Sequence, residues 1–151
     1  MECKVVDLEE KIIMGVCART ANSNPKMEEI IGSLWKQFYQ DGLVTKIKNR
    51  ANEYAYGLYS DYQEDGSYKV TVGCEVTVQE KGIEKDWTVT RIPAGKYARF
   101  TVYGDMVKAV AKAWAEIWEM NLNRTWTGDF EEYVDNNMTG NAKIYIYIAI
   151  A

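Results

Sequence analysis

The feature of this sequence that most constrains its fold is an internal repeat. Each half predicts, in order, a bent strand, a helix and two further strands. The helices share a signature, Trp35-Lys36-Gln37-Phe38-Tyr39 in the first half and Trp114-Ala115-Glu116-Ile117-Trp118 in the second. A duplicated βαββ unit predicts an α+β fold in which one curved antiparallel sheet carries both main helices on one side. We therefore expect a single domain over residues 1–151, with pseudo-repeats at roughly 1–80 and 84–151 and a cleft where they meet.

The two helices can be placed from their capping residues and apolar spacing. Asn24 and Pro25 suit the start of the first helix, and Asp41-Gly42 suits its end. Asp105 is the expected cap of the second helix. Each helix has one apolar face, formed by Ile30, Ile31, Leu34, Trp35, Phe38 and Tyr39 in the first and by Met106, Val107, Val110, Ala113, Trp114, Ile117 and Trp118 in the second.

Strand-like stretches surround both helices. Residues 3–19 read as one extended segment that bends at Glu9-Glu10-Lys11. A turn at Asp65-Gly66 predicts a hairpin between residues 53–60 and 68–78. Further strands are expected over 87–92, 97–103, 130–134 and 143–150.

Composition excludes several classes of function. The chain has no histidine, which excludes Ser-His-Asp and Cys-His catalysis and His-ligated metals. Cys3, Cys17 and Cys74 form no C-x-x-C pair, so neither a metal site nor a redox dithiol is indicated, and we expect reduced, mostly buried thiols. The net charge of −4 disfavours direct nucleic-acid binding. Without a signal peptide or a membrane-length apolar run, we expect a cytoplasmic protein with no membrane contact, metal or cofactor.

Aromatic residues are abundant, with 5 Trp and 11 Tyr among 151 residues. Flat, wide rings suit the walls of a pocket for organic ligands. The same composition also fits a tyrosine-rich sheet surface, so the count of rings by itself does not decide between a pocket and a surface.

Several ordered motifs give the sequence a family resemblance. The segment from Ile92 to Phe100, IPAGKYARF, strongly resembles the IPAGKYAVF segment of the GyrI-like (gyrase-inhibitor-like) family, which includes effector-binding domains of AraC-type and MerR-type multidrug regulators. Ala149 departs from the family, which usually has proline there. The other matching segments, in chain order, are Tyr56-Gly57-Leu58-Tyr59-Ser60-Asp61, Val72-Gly73-Cys74-Glu75-Val76, Phe130-Glu131-Glu132-Tyr133 and Ile144 to Ile150.

This resemblance implies a fold, a ligand class and a site residue. It implies the SHS2-type GyrI-like effector-binding fold, with a groove between the halves that binds lipophilic, often cationic, organic molecules. It also implies a functional carboxylate at Glu131. No segment resembles a helix-turn-helix arm, because both good helices are needed for the core. The resemblance therefore indicates a stand-alone member, and it leaves any protein partner unknown.

Glu131 is the leading candidate site residue. Strand alternation places Glu131 and Tyr133 on one face, with Phe130 and Glu132 on the other. A carboxylate among rings is costly while unpaired, so its pKa should rise and an organic cation should stabilise it. The alternative is an exposed glutamate on a solvated strand face.

Other aromatic residues are candidates for the pocket wall. Trp35, Trp114 and Trp118 lie on the predicted buried helix faces, where core packing is the alternative for at least one of them. Glu75 is a candidate second acid, and a cross-strand salt bridge is its alternative. The remaining candidates for ligand binding are Tyr54, Tyr56, Tyr68, Tyr145 and Tyr147.

Three functions follow from these features. The first is binding of lipophilic, cationic or aromatic small molecules, for sequestration or sensing. The second is cofactor-independent hydrolysis of strained, cyclopropane-bearing electrophiles, a chemistry that the family resemblance suggests. Glu131 would be the general base, and Tyr133 or a tyrosine of the pocket wall would donate a proton or orient the substrate. The third is a protein-interaction role such as gyrase inhibition, which the modest charge supports little.

Overall fold

The computed structural model describes residues 1–77, 87–134 and 142–151. These residues form eight strands and three helices, and the strands make one antiparallel sheet in the order β1-β6-β8-β7-β3-β4-β2-β5. The predicted α+β class with a single antiparallel sheet is therefore confirmed. In chain order the elements are β1 (Glu2–Leu8), β2 (Lys11–Ala21), α1 (Met27–Tyr39), α2 (Leu43–Lys46), β3 (Ala55–Ser60), β4 (Ser67–Val76), β5 (Thr88–Ile92), β6 (Gly95–Gly104), α3 (Lys108–Glu119), β7 (Asp129–Tyr133) and β8 (Ala142–Ile150).

The strand register relates the two halves by a pseudo-two-fold axis. Tyr56 pairs with Gly73 in the first half, and Phe130 pairs with Tyr147 at the equivalent place in the second. The halves meet where β3 pairs with β7, and Gly57 faces Glu131 at the centre of that pair. The junction between the predicted repeats, at residues 81–83, lies outside the described residues.

Each half also lends its first strand to the other half. β1 pairs with β6, and β5 pairs with β2, so the short strand that opens each half extends the opposite end of the sheet. The polar pair Glu9-Glu10 separates β1 from β2, and Pro93-Ala94 separates β5 from β6. The segment predicted as one bent strand over residues 3–19 is thus two strands with different partners.

The two long helices bury matching positions. In α1 the buried residues are Leu34 and Phe38, and in α3 they include Ala113 and Ile117. The residue that follows each of these lies about 100° further round the helix, on the flank of the buried face. The residues at these flanking positions are Trp35, Tyr39, Trp114 and Trp118, so their rings project from the sides of the helices.

Side-chain hydrogen bonds lie just ahead of both long helices, although the cap positions themselves, Lys26 and Val107, make no side-chain cap bond. The Asp105 carboxylate accepts hydrogen bonds from the backbone N–H groups of Val107 and Lys108, at 2.9 and 2.8 Å, which fits the predicted capping role. Asn24 accepts a bond from the Lys26 N–H ahead of α1. Within the described ranges, no helix combines the length and apolar character needed to cross a bilayer.

Apolar side chains cover both faces of the sheet. The helix-side cluster contains the buried residues of α1 and α3 together with alternate residues of the long strands. On the other face, the opposite-face cluster contains Ile13, Tyr56, Leu58, Ile92, Tyr97, Phe130, Tyr147 and Ala149. Cys74 is buried, whereas Cys3 and Cys17 are exposed, so the expectation that most thiols are buried is wrong.

Candidate functional site

Glu131 lies on the central strand pair and points towards the helices. Alternation along β7 sends Glu131 and Tyr133 to the helix side, and it sends Phe130 and Glu132 to the opposite-face cluster. Only 3% of Glu131 is exposed to solvent. The carboxylate therefore sits inside the protein at the pseudo-two-fold axis.

Three ring donors hold the carboxylate. The Tyr133 hydroxyl donates to Oε1 at 2.7 Å, and the Trp114 indole N–H donates to Oε2 at 2.7 Å. The Tyr59 hydroxyl donates to the same Oε2 at 3.0 Å. Hydrogen bonds to an ionised acceptor are the strong class, so these three groups fix the position of the side chain.

The rings around Glu131 come in two equivalent pairs. Trp35 packs edge-on against Tyr133 with ring centroids 5.0 Å apart, and Trp114 packs edge-on against Tyr59 at 5.4 Å. The pseudo-two-fold axis relates Tyr59 to Tyr133, and the shared helix signature relates Trp35 to Trp114. Each tryptophan thus packs on the tyrosine of the other half. We refer to Glu131 and these four rings as the carboxylate cage.

The axis itself is occupied by unlike residues, because Gly57 stands where the second half has Glu131. A Cβ atom added at Gly57 would lie 2.9 Å from Glu131 Oε1 and 3.4 Å from the Trp35 ring. A real Cβ atom essentially never lies within 3.0 Å of such a neighbour. The missing side chain at Gly57 therefore makes the room in which the carboxylate sits.

Burial controls the electrostatics of the cage. Loss of solvent raises the pKa of Glu131 above its usual value, and the bonds from Tyr133, Trp114 and Tyr59 partly oppose that rise. Burial, followed by the charge of Glu131, raises the pKa of Tyr59 and of Tyr133 well above the usual phenol value. Both tyrosines therefore stay protonated as donors. None of the ion pairs among the described residues involves Glu131.

A ring-lined cavity of about 440 Å³ lies beside the cage. Tyr68 belongs to its wall and packs edge-on against Tyr59 of the cage, with ring centroids 5.8 Å apart. The charge of Glu131 reaches Tyr68 and helps to raise its pKa, after the larger effect of burial. We call this the tryptophan cavity; its lining is Asn22, Tyr62, Gln63, Glu64, Gly66, Ser67, Tyr68, Trp118 and Trp126.

Four predicted wall residues lie on the other side of the sheet. Tyr54, Tyr56, Tyr145 and Tyr147 belong to or pack against the opposite-face cluster, because strand alternation directs them away from Glu131. The structure therefore does not bring them into the cage. The Tyr56 hydroxyl contacts Glu132 Oε2 at 2.7 Å and Glu75 Oε1 at 3.2 Å, and Tyr147 donates to Glu132 Oε1 at 3.3 Å.

Glu75 follows the salt-bridge alternative. Its Oε1 lies 3.3 Å from Lys11 Nζ and also accepts a bond from Asn52 at 3.1 Å. The strand that carries Glu75 pairs with the strand that carries Lys11, so the contact is a cross-strand pair.

Trp118 differs from the expectation that it lies on the buried face of its helix. It is 50% exposed, because it follows Ile117 and so lies on the flank of α3. Its ring lines the tryptophan cavity.

Three ring residues of the site, Tyr59, Tyr62 and Trp126, were not predicted from the sequence, and Tyr62 lies between β3 and β4, outside any strand. Tyr59 is equivalent to Tyr133 across the axis, so the repeat itself carried a signal for it. Trp126 had no such signal, because it lies in the irregular segment between α3 and β7. Among residues 1–77, 87–134 and 142–151, no group of three or more His, Cys, Asp or Glu side chains is placed to hold a metal ion.

Comparisons with known proteins agree with this fold and cover the length of the chain. Residues 4–150 match the model of the family Cass2, described as integron-associated effector binding protein. YobU of Bacillus subtilis (strain 168), a protein named for a proposed role as a transcriptional regulator, is 31% identical over an alignment 156 positions long with gaps, which covers 97% of this chain and 96% of YobU.

Two solved structures share the architecture. An integron cassette protein from the mobile metagenome of Vibrio cholerae superposes with a TM-score of 0.78 at 27% identity, covering 99% of this chain and 95% of that one. SAV2435, solved bound to tetraphenylphosphonium, superposes with a TM-score of 0.82 at 18% identity, covering 100% of this chain and 94% of that one.

Proposed function

The chain belongs to the family of integron-associated effector binding proteins, in agreement with the GyrI-like resemblance of its motifs, and from this premise we propose that it binds lipophilic organic cations beside Glu131. The observation that carries the proposal is a buried carboxylate whose hydrogen-bond donors, among residues 1–77, 87–134 and 142–151, are all neutral rings. Such a protein would act in sensing or in sequestration of its ligand.

The unpaired charge gives the site its preference for cations. A carboxylate in a poorly solvated place is destabilised, which is why the pKa of Glu131 is raised. At an effective dielectric constant near 20, a cation gains roughly 2 kcal/mol from an opposite charge about 7–10 Å away. Each aromatic face that it meets would add about 0.5–2 kcal/mol through cation–π attraction. Anions of the same shape would be repelled.

The tryptophan cavity provides the space that an organic cation needs. Its volume of about 440 Å³ is within the usual range for small-molecule pockets. Tyr68 lines the cavity and packs against Tyr59, whose hydroxyl donates to Glu131, so these two rings connect a ligand in the cavity to the carboxylate. Rings of this kind accept many ligand shapes, which favours broad selectivity.

A structural relative supports the choice of ligand class. SAV2435 shares the fold and was solved with tetraphenylphosphonium, a lipophilic monocation. Its low identity makes the likeness one of fold, so the ligand class comes to this chain as part of the proposal.

The test compares two ions of the same shape and opposite charge. Tetraphenylphosphonium should bind the wild-type protein, and tetraphenylborate should not, when binding is followed by tryptophan fluorescence or calorimetry. Glu131→Gln removes the charge and keeps the shape, so it should weaken tetraphenylphosphonium binding about tenfold or more. Equal affinity of the wild type and Glu131→Gln for tetraphenylphosphonium would refute the proposal.

Glu132 offers a matched control one residue away. It is also a buried glutamate with a tyrosine donor at 2.7 Å, but it faces the opposite side of the sheet. Glu132→Gln should leave tetraphenylphosphonium affinity unchanged. A loss of affinity equal to that of Glu131→Gln would mean that the overall negative charge, and not the cage, attracts the ligand.

The hydrolase alternative has less support from the geometry. Its two expected catalytic residues, Glu131 and Tyr133, are hydrogen-bonded to each other, and both are buried. Three donors already occupy the carboxylate, which leaves little room for a water molecule that it would activate. Binding is therefore the function that we favour. Formation of a hydrated product from a cyclopropane-bearing electrophile, lost in Glu131→Gln, would reverse this preference.

A further inference from the structure

A second buried carboxylate, Asp129, lies at the Tyr62 and Trp126 side of the tryptophan cavity and already holds a cation. Arg124 Nη2 lies 2.7 Å from Asp129 Oδ2, and the side chains of Arg124 and Asp129 are only 8% and 0% exposed. Tyr62, which lines the cavity, donates to the same Oδ2 at 2.5 Å. The backbone N–H of Ala149 donates to Oδ1 at 2.9 Å. Asp129 is thus the counter-ion of a planar cation that belongs to the chain itself.

Two tryptophans of the cavity contact that cation. The guanidinium carbon of Arg124 lies 3.8 Å from the ring centroid of Trp126 and 4.9 Å from that of Trp118. The two indole rings are 6.0 Å apart and tilted by 32°. A carboxylate together with aromatic faces is the arrangement that recognises organic cations in general.

The backbone holds Trp126 in an unusual conformation. Its φ angle is +59°, in the left-handed region that is unfavourable for residues other than glycine. Such strain persists only where the surroundings hold it, and it is common at ligand sites. In this conformation the Trp126 ring contacts both Arg124 and Tyr62.

The segment that carries Arg124 is fixed, whereas the ring side chains are open to solvent. Arg124 forms a β-bridge with Ile150, and the neighbouring N–H of Thr125 donates to Ala149 O at 3.0 Å. Trp118 and Trp126 are 50% and 46% exposed. The Arg124 Nε is buried with no hydrogen-bond partner among the described residues. The guanidinium is therefore incompletely satisfied, and it lies against two of the rings that line the cavity.

From these contacts we propose that Asp129, Trp118 and Trp126 form a second cation site, specific for planar amidinium or guanidinium groups, which Arg124 fills in the free protein. A ligand carrying such a group binds there by exchange with the Arg124 side chain, which moves into solvent while its backbone stays in place. This inference goes beyond the proposed function, because its counter-ion is Asp129 and not Glu131.

The test removes the resident cation and supplies one from solution. Benzamidinium should bind the wild-type protein weakly, because it competes with a tethered side chain at high effective concentration. Arg124→Ala should bind benzamidinium at least about tenfold more tightly, measured by tryptophan fluorescence. The neutral analogue benzamide should bind neither protein. Equal benzamidinium affinity of the wild type and a folded Arg124→Ala would overturn the inference.

Stability provides a second measurement, because Arg124→Ala leaves Asp129 buried and unpaired. Benzamidinium at ten times its Kd should raise the Tm of the variant by about 3–6 °C. If the variant does not fold alone, benzamidinium should restore folding and benzamide should not. The double variant Arg124→Ala/Asp129→Asn is the control, because its folding would show that the chain tolerates loss of the ion pair. If that control folds and benzamidinium does not rescue Arg124→Ala, the inference is overturned.

The two carboxylates separate this inference from the proposed function. Adding Asp129→Asn to Arg124→Ala should abolish the gain in benzamidinium affinity, whereas adding Glu131→Gln should preserve it. If Asp129→Asn preserved the gain and Glu131→Gln abolished it, the second site would be overturned, and tetraphenylphosphonium binding at Glu131 would be unaffected. Loss of tetraphenylphosphonium selectivity alone would count against the cage and leave the second site intact.

Discussion

A methyl group at Gly57 tests the geometry of the cage directly. The Cβ atom of Gly57→Ala would lie 2.9 Å from Glu131 Oε1, closer than side chains tolerate. Because that oxygen is the end of a side chain and not backbone, the carboxylate will turn away against its hydrogen bonds and the backbone will stay in place. Oε1 then loses its 2.7 Å bond from Tyr133.

The size of the effect follows from two opposing terms. A hydrogen bond to a charged group contributes about 1.5–3 kcal/mol, and most of that is lost when Oε1 moves. Replacing glycine by alanine restricts the unfolded chain and returns about 0.4–1 kcal/mol. We therefore expect Gly57→Ala to lower the free energy of unfolding by about 1–2 kcal/mol and the Tm by about 2–8 °C.

Two other glycines provide controls in the same assay, which is urea denaturation followed by circular dichroism. Gly32, in the middle of α1, has no atom within 4 Å of an added Cβ, so Gly32→Ala should stabilise the protein by about 0.5–1 kcal/mol. At Gly73 an added Cβ would lie 2.1 Å from the backbone oxygen of Met14, which cannot move aside, so Gly73→Ala should cost more than Gly57→Ala. Equal free energies of unfolding for Gly57→Ala and Gly32→Ala would contradict the close contact between residue 57 and Glu131.

Three further predictions concern the titration, the donors and the thiols. The pKa of Glu131 is higher in the folded than in the unfolded protein, so its contribution to stability is complete below the unfolded pKa and is lost as pH rises through the folded pKa. Between these two pKa values, the free energy of unfolding of the wild type relative to Glu131→Gln should fall by about 1.4 kcal/mol per pH unit. A difference that stays constant from about pH 4 to pH 8 would contradict this. Trp114→Phe removes the 2.7 Å N–H bond to Oε2 and should cost about 1.5–3 kcal/mol in chemical denaturation, more than Trp35→Phe; equal costs would argue against the bond. Burial raises the pKa of Cys74 to about 11, so a thiol reagent at pH 8 should modify Cys3 and Cys17 in the native protein and Cys74 only after unfolding, as mass spectrometry would show.

The repeat carried most of the fold information in the sequence. Local patterns predicted the helices, the hairpin and the antiparallel sheet, because apolar spacing and turn residues act over a few positions. The exchange of β1 and β5 between the halves was not predicted. Those pairings join residues far apart in the chain, and no local pattern specifies which strand becomes the partner.

The candidate site was predictable where strand alternation decides direction. Alternation along β7 placed Glu131 and Tyr133 on the same face. Tyr56 pairs with Glu132, so an alignment of β3 with β7 would have placed Tyr56 on the face opposite Glu131. Arg124 and Trp126 were not predictable in the same way. They lie in an irregular segment, where side-chain direction depends on contacts that the sequence pattern does not record.

The unlike pair on the axis has a consequence for how such a protein can arise. A dimer of two identical half-length chains would carry the same residue at both central positions. Two glycines would leave the interior uncharged, and two glutamates would compete for one space, since even a single Cβ at Gly57 collides with Glu131. A lone negative charge at the centre of symmetry is therefore incompatible with two identical halves, and joining the halves in one polypeptide lets each mutate independently of the other.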